Sequence, residues 1–395
     1  MKPNLLIISE NNLKNLKDLL ILAAKSANER LYVSLSPKLP RTDEIISKIY
    51  LSASNFCPNV DVRILVKSEI PEEFELIGDE KPQEKPEKKE KKYKKVVLGG
   101  TFDRLHNGHK VLLNKAAELA SDEIVIGVTD KQMIIKKSLF EMIEPVDNRM
   151  RKVVDFVEDI SGSAKCLTEP IIDPFGPSTR ISNLEAIIVS RETVKGGDAV
   201  NKKRVENGMK ELDVIVIELV EGSDEILNET KISSSSRRRE DLGRLLKPVL
   251  KSKNIPYFIN LNGGIVSGKD EIGVYLKEKY RFELIDWDRL DSDEKSKIFE
   301  RNSRLTGSKV VVLKSSSPIE NVSEVWSVFV PTAETIRRFA EKDGINEEDA
   351  QKKSASEGDN KERIDKSHVV FCTLWNEEET KKQVDKAVEE LEKRI

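Results

Sequence analysis

The chain has 395 residues, which at about 150 residues per domain suggests two to three domains. Apolar residues make up 38% and charged residues 35%, and 67 Lys+Arg against 70 Asp+Glu leave a net formal charge of −3. That near-balance argues against a nucleic-acid-binding polycation. Three scattered cysteines (Cys57, Cys166, Cys372) with no CxxC pair argue against a disulfide framework or a structural zinc site.

The opening MKPNLLIISENNLKNLKDLL lacks the charged start, apolar middle and small-residue cleavage site of a secretory signal. No apolar run reaches the roughly 18 residues that a membrane-spanning helix needs. Cysteine usage fits a reducing compartment. A cytoplasmic location is expected, with association with mitochondria as the alternative.

Residues 1–75 alternate short apolar runs (LLII at 5–8, LYVSL at 31–35, VRILV at 62–66) with a helically periodic stretch, LKNLKDLLILAAKSA. The alternation predicts a small α/β domain. Residues 79–95, DEKPQEKPEKKEKKYKK, contain no aliphatic side chain. Such a segment buries too little surface to offset its ordering entropy, so a disordered linker is expected over 76–93.

From 94 to 246 the pattern is strand–helix–strand. KKVVLGG, DEIVIGVT, EAIIVS (185–190) and DVIVIELV (213–220) read as strands, while HKVLLNKAAELA and residues 149–160 read as helices. Units of this kind imply a parallel sheet with right-handed crossovers and a ligand at the carboxyl ends of its strands. After a break near LLKPVLKSKNIP, residues 247–395 begin again with strand, Gly-rich turn and helix. They close on a charged amphipathic helix, NEEETKKQVDKAVEELEKRI.

The most informative stretch is Gly100-Thr101-Phe102-Asp103-Arg104-Leu105-His106-Asn107-Gly108-His109, after a strand and before a helix. A helix N-terminus offers unpaired N–H groups and partial positive charge to a phosphate. Two imidazoles one turn apart can address the same phosphoryl group. Gly108 is expected to leave room for a nucleotide against the backbone.

This string resembles the nucleotidyltransferase superfamily with its [T/H]xGH signature. The resemblance implies a Rossmann-like, doubly wound parallel sheet and attack of a substrate phosphate on the α-phosphorus of a nucleotide. Residues 188–208 (IVSRETVKGGDAVNKKRVENG) and 231–237 (KISSSSR) narrow the likeness to the archaeal and eukaryotic type of phosphopantetheine adenylyltransferase.

The implied substrates are ATP and 4′-phosphopantetheine, with Mg²⁺ carried on the nucleotide and no dedicated protein metal site. The implied catalytic residues are His109, His106 and Lys136, with Lys137 as the alternative lysine. The implied nucleotide-binding residues are Gly100, Thr101, Phe102, Gly108, Ser233, Ser234, Ser235 and Arg237. Arg149 and Arg151 are weaker candidates. Where relatives carry Ser-Glu-Glu-Thr, this chain has Ser190-Arg191-Glu192-Thr193. A cytidylyltransferase is the competing reading of the same signature.

Gly263-Gly264-Ile265-Val266-Ser267-Gly268-Lys269-Asp270 nearly fits G-x-x-x-x-G-K-[ST], with Asp270 in place of the final hydroxyl. Gly263, Gly268 and Lys269 form a weak P-loop. The order of the two motifs resembles the eukaryotic bifunctional coenzyme A synthases, whose second half is a dephospho-CoA kinase, and the resemblance implies that Asp286 stands at the position of its catalytic acid. Asp270, Val266 and the absent downstream arginine predict a P-loop kinase-like α/β domain with lost or weak kinase activity. Oligomeric state is not legible.

Overall fold

The computed structural model describes residues 2–27, 29–67, 69–70, 73–82, 90–162, 164–217, 234–249, 256–300 and 310–395. The chain divides into two compact units, Met1–Lys136 with Glu144–Ser234, and Lys137–Ile143 with Ser235–Ile395. This differs from the expected segments in two ways. The first 75 residues pack into the same unit as the segment after the linker, and the second boundary falls at 234/235 rather than at 246/247.

The first unit contains two parallel sheets. In chain order its strands are β1 (Asn4–Ile8), β2 (Arg30–Leu35), β3 (Asp61–Ile64), β4 (Glu75–Ile77), β5 (Tyr93–Gly100), β6 (Ala120–Thr129), β7 (Lys165–Ile171), β8 (Ala186–Ser190) and β9 (Asp213–Ile217). Its helices are α1 (Leu16–Ser26), α2 (Asp43–Phe56), α3 (Asn107–Leu119), α4 (Val146–Ser161) and α5 (Val194–Glu206). The first sheet runs β3-β2-β1-β4 and the second β7-β6-β5-β8-β9.

The second order starts at β5, runs outward through β6 and β7, then reverses through β8 and β9. That is the doubly wound arrangement, and its switch point lies between β5 and β8. The α/β class and the parallel sheet thus agree with the sequence pattern. The last three residues of the expected strand 213–220 lie outside the described residues. So does the central part of the expected linker, 83–89. The linker is shorter than expected at both ends, because Leu76 and Ile77 join β4 and Tyr93 opens β5.

Two strands of this unit, β4 and β7, are not legible in the sequence: β4 has only three residues, and β7 carries Pro170, which its edge position tolerates. Helix α2 also went unread, although Thr42 accepts a hydrogen bond from Ile45 N–H and Asp43 and Glu44 fill its first turn.

One hydrophobic core joins the two sheets of this unit, from Leu6, Leu31 and Tyr50 to Val96, Leu113 and Phe156. A polar seam runs beside it. Asn107, Lys110 and Asn114 lie on one face of α3, three and four residues apart. Asn107 Nδ2 donates to Tyr50 O (2.9 Å) and Ser54 Oγ (2.8 Å). Lys110 Nζ donates to Asp61 Oδ1 (2.5 Å) and Val62 O (3.0 Å). Asn114 Nδ2 donates to Ile64 O (2.7 Å) and its amide oxygen accepts from Arg41. The first 75 residues thereby fix the rotation and axial position of α3.

Asp61 anchors this seam. Burial pushes its carboxyl up, but Lys110 and Arg63 outweigh that and hold it below the usual aspartate range. Its contribution to stability is therefore full above the unfolded value of about 3.9 and is lost as pH falls through the lower folded value. Asp61→Asn is expected to cost about 1–3 kcal/mol at neutral pH, discounted for the partial exposure of Asp61. The same change should flatten the acid limb of a stability-versus-pH profile measured by urea titration.

The second unit has a single parallel sheet, β10 (Tyr257–Gly263), β11 (Glu283–Asp286), β12 (Val310–Ser315), β13 (Glu324–Phe329) and β14 (Val369–Cys372), in the order β11-β12-β10-β13-β14. Its helices are α6 (Ser234–Glu240, of which Ser234 belongs to the first unit), α7 (Lys269–Tyr280), α8 (Ser292–Glu300), α9 (Thr332–Asp343), α10 (Glu347–Ser356), α11 (Asn360–Lys366) and α12 (Glu377–Glu392). The expected Gly-rich turn joins the central strand β10 to α7, where a phosphate-binding loop would stand.

Residues 137–143 pack here too. Leu139 and Met142 share an apolar cluster with Leu242, Phe329, Val370 and Cys372, and Ser138 O accepts from Arg238 Nε at 2.9 Å. The three cysteines are free and buried, and burial pushes the thiols of Cys166 and Cys372 up to about 12. Among the described residues no helix is long and apolar enough to cross a membrane.

Candidate active site

The carboxyl ends of β5 and β6 meet in register, Gly99 opposite Gly127 and Gly100 opposite Val128. Thr101 and Thr129 follow them, with their hydroxyls 2.9 Å apart. The chain then makes a tight turn into α3. Phe102 (φ 50°) and Arg104 (φ 49°) both adopt the left-handed region, which non-glycine residues enter only at an energetic cost of about 1–3 kcal/mol each. Buried contacts hold this conformation. Phe102 is buried beneath the turn, and a Cβ on Gly100 would lie 3.0 Å from its ring.

The Asp103 carboxylate is fully buried and accepts from Glu144 N–H (3.0 Å) and from Arg104 Nη1 (3.1 Å). Arg149, on α4, is fully buried below the same turn. It donates to Thr101 O (2.7 Å), Thr129 O (2.9 Å) and Glu144 O (2.8 Å). Its Nη2 stands 3.6 Å from Asp130 Oδ1. Burial lowers the Arg149 pKa from the ordinary arginine value, against the opposing carboxylates of Asp130, Asp103 and Glu144. The arginine thus ties together the ends of two neighbouring strands and the entry to α4.

His106 caps α3 and His109 sits in its first turn. Their rings stack, with centroids 3.8 Å apart and planes 23° from parallel, and the Phe102 ring lies 5.3 Å from that of His109. His106 Nε2 is 3.3 Å from Ser234 Oγ, whose hydroxyl also reaches Asp103 O at 3.2 Å. A Cβ on Gly108 would stand 3.1 Å from the His106 ring. Glycine at 108 thus lets the His106 ring fold closely over the helix start.

On the other side of the switch point, β8 ends at Ser190. Ser190 N–H donates to Thr193 Oγ1 at 3.1 Å and the two hydroxyls are 3.0 Å apart, a reciprocal cap on the short helical turn that leads into α5. Gly100, Thr101, Phe102, His106, Gly108 and His109 all fall within one turn. Ser234 joins them through His106. Ser233 lies outside the described residues, and Ser235 and Arg237 belong to the other unit.

Lys136 is exposed at the end of the first unit and makes no hydrogen bond or ion pair among the described residues. The sequence reading missed the roles of Asp103, Thr129 and Asp130 and ranked Arg149 low. The available signal was their position: Thr129 and Asp130 end the strand adjacent to the motif, at the edge where such folds bind ligands. The third histidine has a structural role. His368 Nδ1 accepts from Val325 N–H at 3.0 Å, and burial lowers its pKa.

In the second unit, Lys269 is buried and its Nζ donates to Gly264 O at 3.1 Å. Asp270, in the place of a Mg²⁺-binding hydroxyl, is paired with Lys314 Nζ at 2.5 Å, and the same ammonium reaches Asp286 at 3.1 Å. One lysine thus pairs with both carboxylates. Among the described residues no group of three His, Cys, Asp or Glu could hold a metal ion.

The doubly wound sheet, with a histidine pair at the helix that follows its central strand, defines a nucleotidyltransferase-type domain. Residues 97–240 match the cytidylyltransferase-like family model. The chain is 37% identical over 148 residues to a phosphopantetheine adenylyltransferase of Saccharomyces cerevisiae, covering 38% of this chain and 48% of that one. It is 45% identical over 129 residues to that of Pyrococcus furiosus (33% of this chain, 79% of the relative). It is 40% identical over 160 residues to that of Pyrococcus horikoshii (40% and 98%). Through this segment the chain belongs to the phosphopantetheine adenylyltransferase family. It spans about half the length of the yeast relative and nearly all of the Pyrococcus horikoshii one.

Proposed function

We propose that residues 94–246 transfer the adenylyl group of ATP to 4′-phosphopantetheine, giving dephospho-CoA and pyrophosphate. An oxygen of the acceptor phosphate attacks the α-phosphorus, the bond to the bridging oxygen breaks, and pyrophosphate leaves. The reaction needs positioning and charge neutralisation rather than a covalent enzyme intermediate. The observation that carries this reading is the stacked His106–His109 pair at the amino end of α3, beside the β5/β8 switch point.

In this reading His109 donates to the α-phosphate as charge builds, and His106, held by Ser234, addresses the β/γ side. Gly100, Thr101, the Phe102 backbone and Gly108 shape the phosphate cradle. Lys136 meets the incoming phosphate. Mg²⁺ would enter on the nucleotide and neutralise its triphosphate. The N-terminal layer, residues 1–75, holds α3 in place. Residues 247–395 form a kinase-like domain whose own phosphorylation of dephospho-CoA is weak or lost.

A bifunctional reading rests on a second observation, the Gly-rich loop after the central strand of the second sheet. Incubation with ATP, Mg²⁺ and 4′-phosphopantetheine separates the readings. Dephospho-CoA with equimolar pyrophosphate and no CoA is expected. CoA would establish the second activity, a preference for CTP would establish a cytidylyltransferase, and absence of pyrophosphate would overturn the assignment.

A further inference from the structure

The amides of a P-loop converge on a phosphate. Here a carboxylate accepts from one of the loop amides. Glu357 follows α10, and its Oε1 accepts from Ile265 N–H at 2.6 Å. Its Oε2 lies where a Cβ on Gly264 would stand, so the glycine lets the carboxylate press against the loop backbone. The Glu357 backbone is secured in turn: its carbonyl accepts from Arg363, and the next residue, Gly358, turns the chain at φ 83°.

Lys269 is folded under the loop and donates to Gly264 O (3.1 Å), and Ser267 Oγ donates to the same carbonyl (2.7 Å). The negative charge of Glu357 favours the charged form of Lys269, against a larger effect of burial. A cavity of about 370 Å³ adjoins this point, walled by Gly264, Ser267, Thr332, Glu357 and Arg363.

We propose that Glu357 is an internal plug: its carboxylate occupies the anion cradle of residues 263–269 and keeps a triphosphate out. The inference deepens the reading of this loop as P-loop-like and is independent of the adenylyltransferase assignment. A carboxylate in an amide cradle competes directly with a phosphate oxygen for the same N–H, and its charge repels the ligand before contact. Losing a bond to a charged acceptor changes affinity about ten- to hundredfold, and removing this competitor should raise phosphate affinity by that factor.

All three tryptophans, Trp287, Trp326 and Trp375, belong to the second unit, so their fluorescence reports on that unit. Full-length wild-type protein, Glu357→Ala and Glu357→Gln should each be titrated with inorganic tripolyphosphate and with ATP. Glu357→Gln keeps the side-chain length and one acceptor oxygen, which guards against misfolding of the alanine variant. Both variants are expected to show a saturable fluorescence change at concentrations about ten- to hundredfold below any wild-type response.

Adding Lys269→Ala to either variant should abolish the gain. Pyrophosphate release by the first unit should stay at the wild-type level in every Glu357 variant. Indistinguishable titrations of wild type and both variants, whether all bind or none does, would overturn the plug. So would a gain that survives Lys269→Ala. Loss of pyrophosphate release in wild type would instead count against the adenylyltransferase reading alone.

Discussion

His109→Ala is expected to lower kcat/KM for pyrophosphate release from ATP and 4′-phosphopantetheine by about 10²–10³-fold, the range found when one preorganised donor to a developing oxyanion is removed. The imidazole stacks on His106 at 3.8 Å and is backed by Phe102 at 5.3 Å, so its orientation is set before a nucleotide arrives. Preorganisation of this kind stabilises the transition state without reorganisation during the reaction, so kcat should fall more than KM rises.

Ser234→Ala should have a smaller effect, because it removes only the hydroxyl 3.3 Å from His106 Nε2 and leaves both rings in place. Steady-state kinetics with a coupled pyrophosphate assay decides both. Wild-type turnover in His109→Ala would remove that residue from the mechanism.

Arg149→Met should destabilise the first unit by about 3–5 kcal/mol, the cost of breaking a buried charged network. The guanidinium is fully buried, and its loss would strand Thr101 O, Thr129 O and Glu144 O without their donor. Arg149→Lys should recover little, since a single ammonium cannot reproduce the fork that reaches all three carbonyls. Tryptophan fluorescence is blind to this unit, so amide hydrogen exchange over 97–101 and 120–129 is the appropriate measurement. Unchanged protection in both variants would show that the turn into α3 does not depend on the arginine.

Much of this architecture is legible in the chain. LLII, KKVVLGG, DEIVIGVT and EAIIVS are near-continuous apolar runs, the mark of strands buried on both faces of a parallel sheet. The histidine motif and the Gly-rich loop announce themselves because both chemistries need short, fixed spacings within one strand–turn–helix unit. Strands β4 and β7 were not legible, since a three-residue strand and one that ends in Glu-Pro-Ile carry little apolar pattern.

In the sequence Arg149 stands beside Arg151 only as a weaker candidate for contact with phosphate. Its burial depends on Thr101, Thr129 and Glu144 converging on one point, and nothing in the spacing of EPVDNRMRKV marks that. Spacing likewise does not mark the close approach of Gly108 to the side chain folded back from His106, two residues earlier.

Local sequence therefore decided the strand periodicity and the presence of two phosphate-type loops, because each depends on residues within about ten positions of one another. Contacts between distant segments decided the rest. The seating of α3 on residues 41–64 required pairing across about 50 residues, and the seating of Glu357 on Ile265 spans 92 residues. Loop closure over such lengths is set by the packing of whole sheets. Residue spacing alone therefore does not reveal which anion fills the cradle of the second unit.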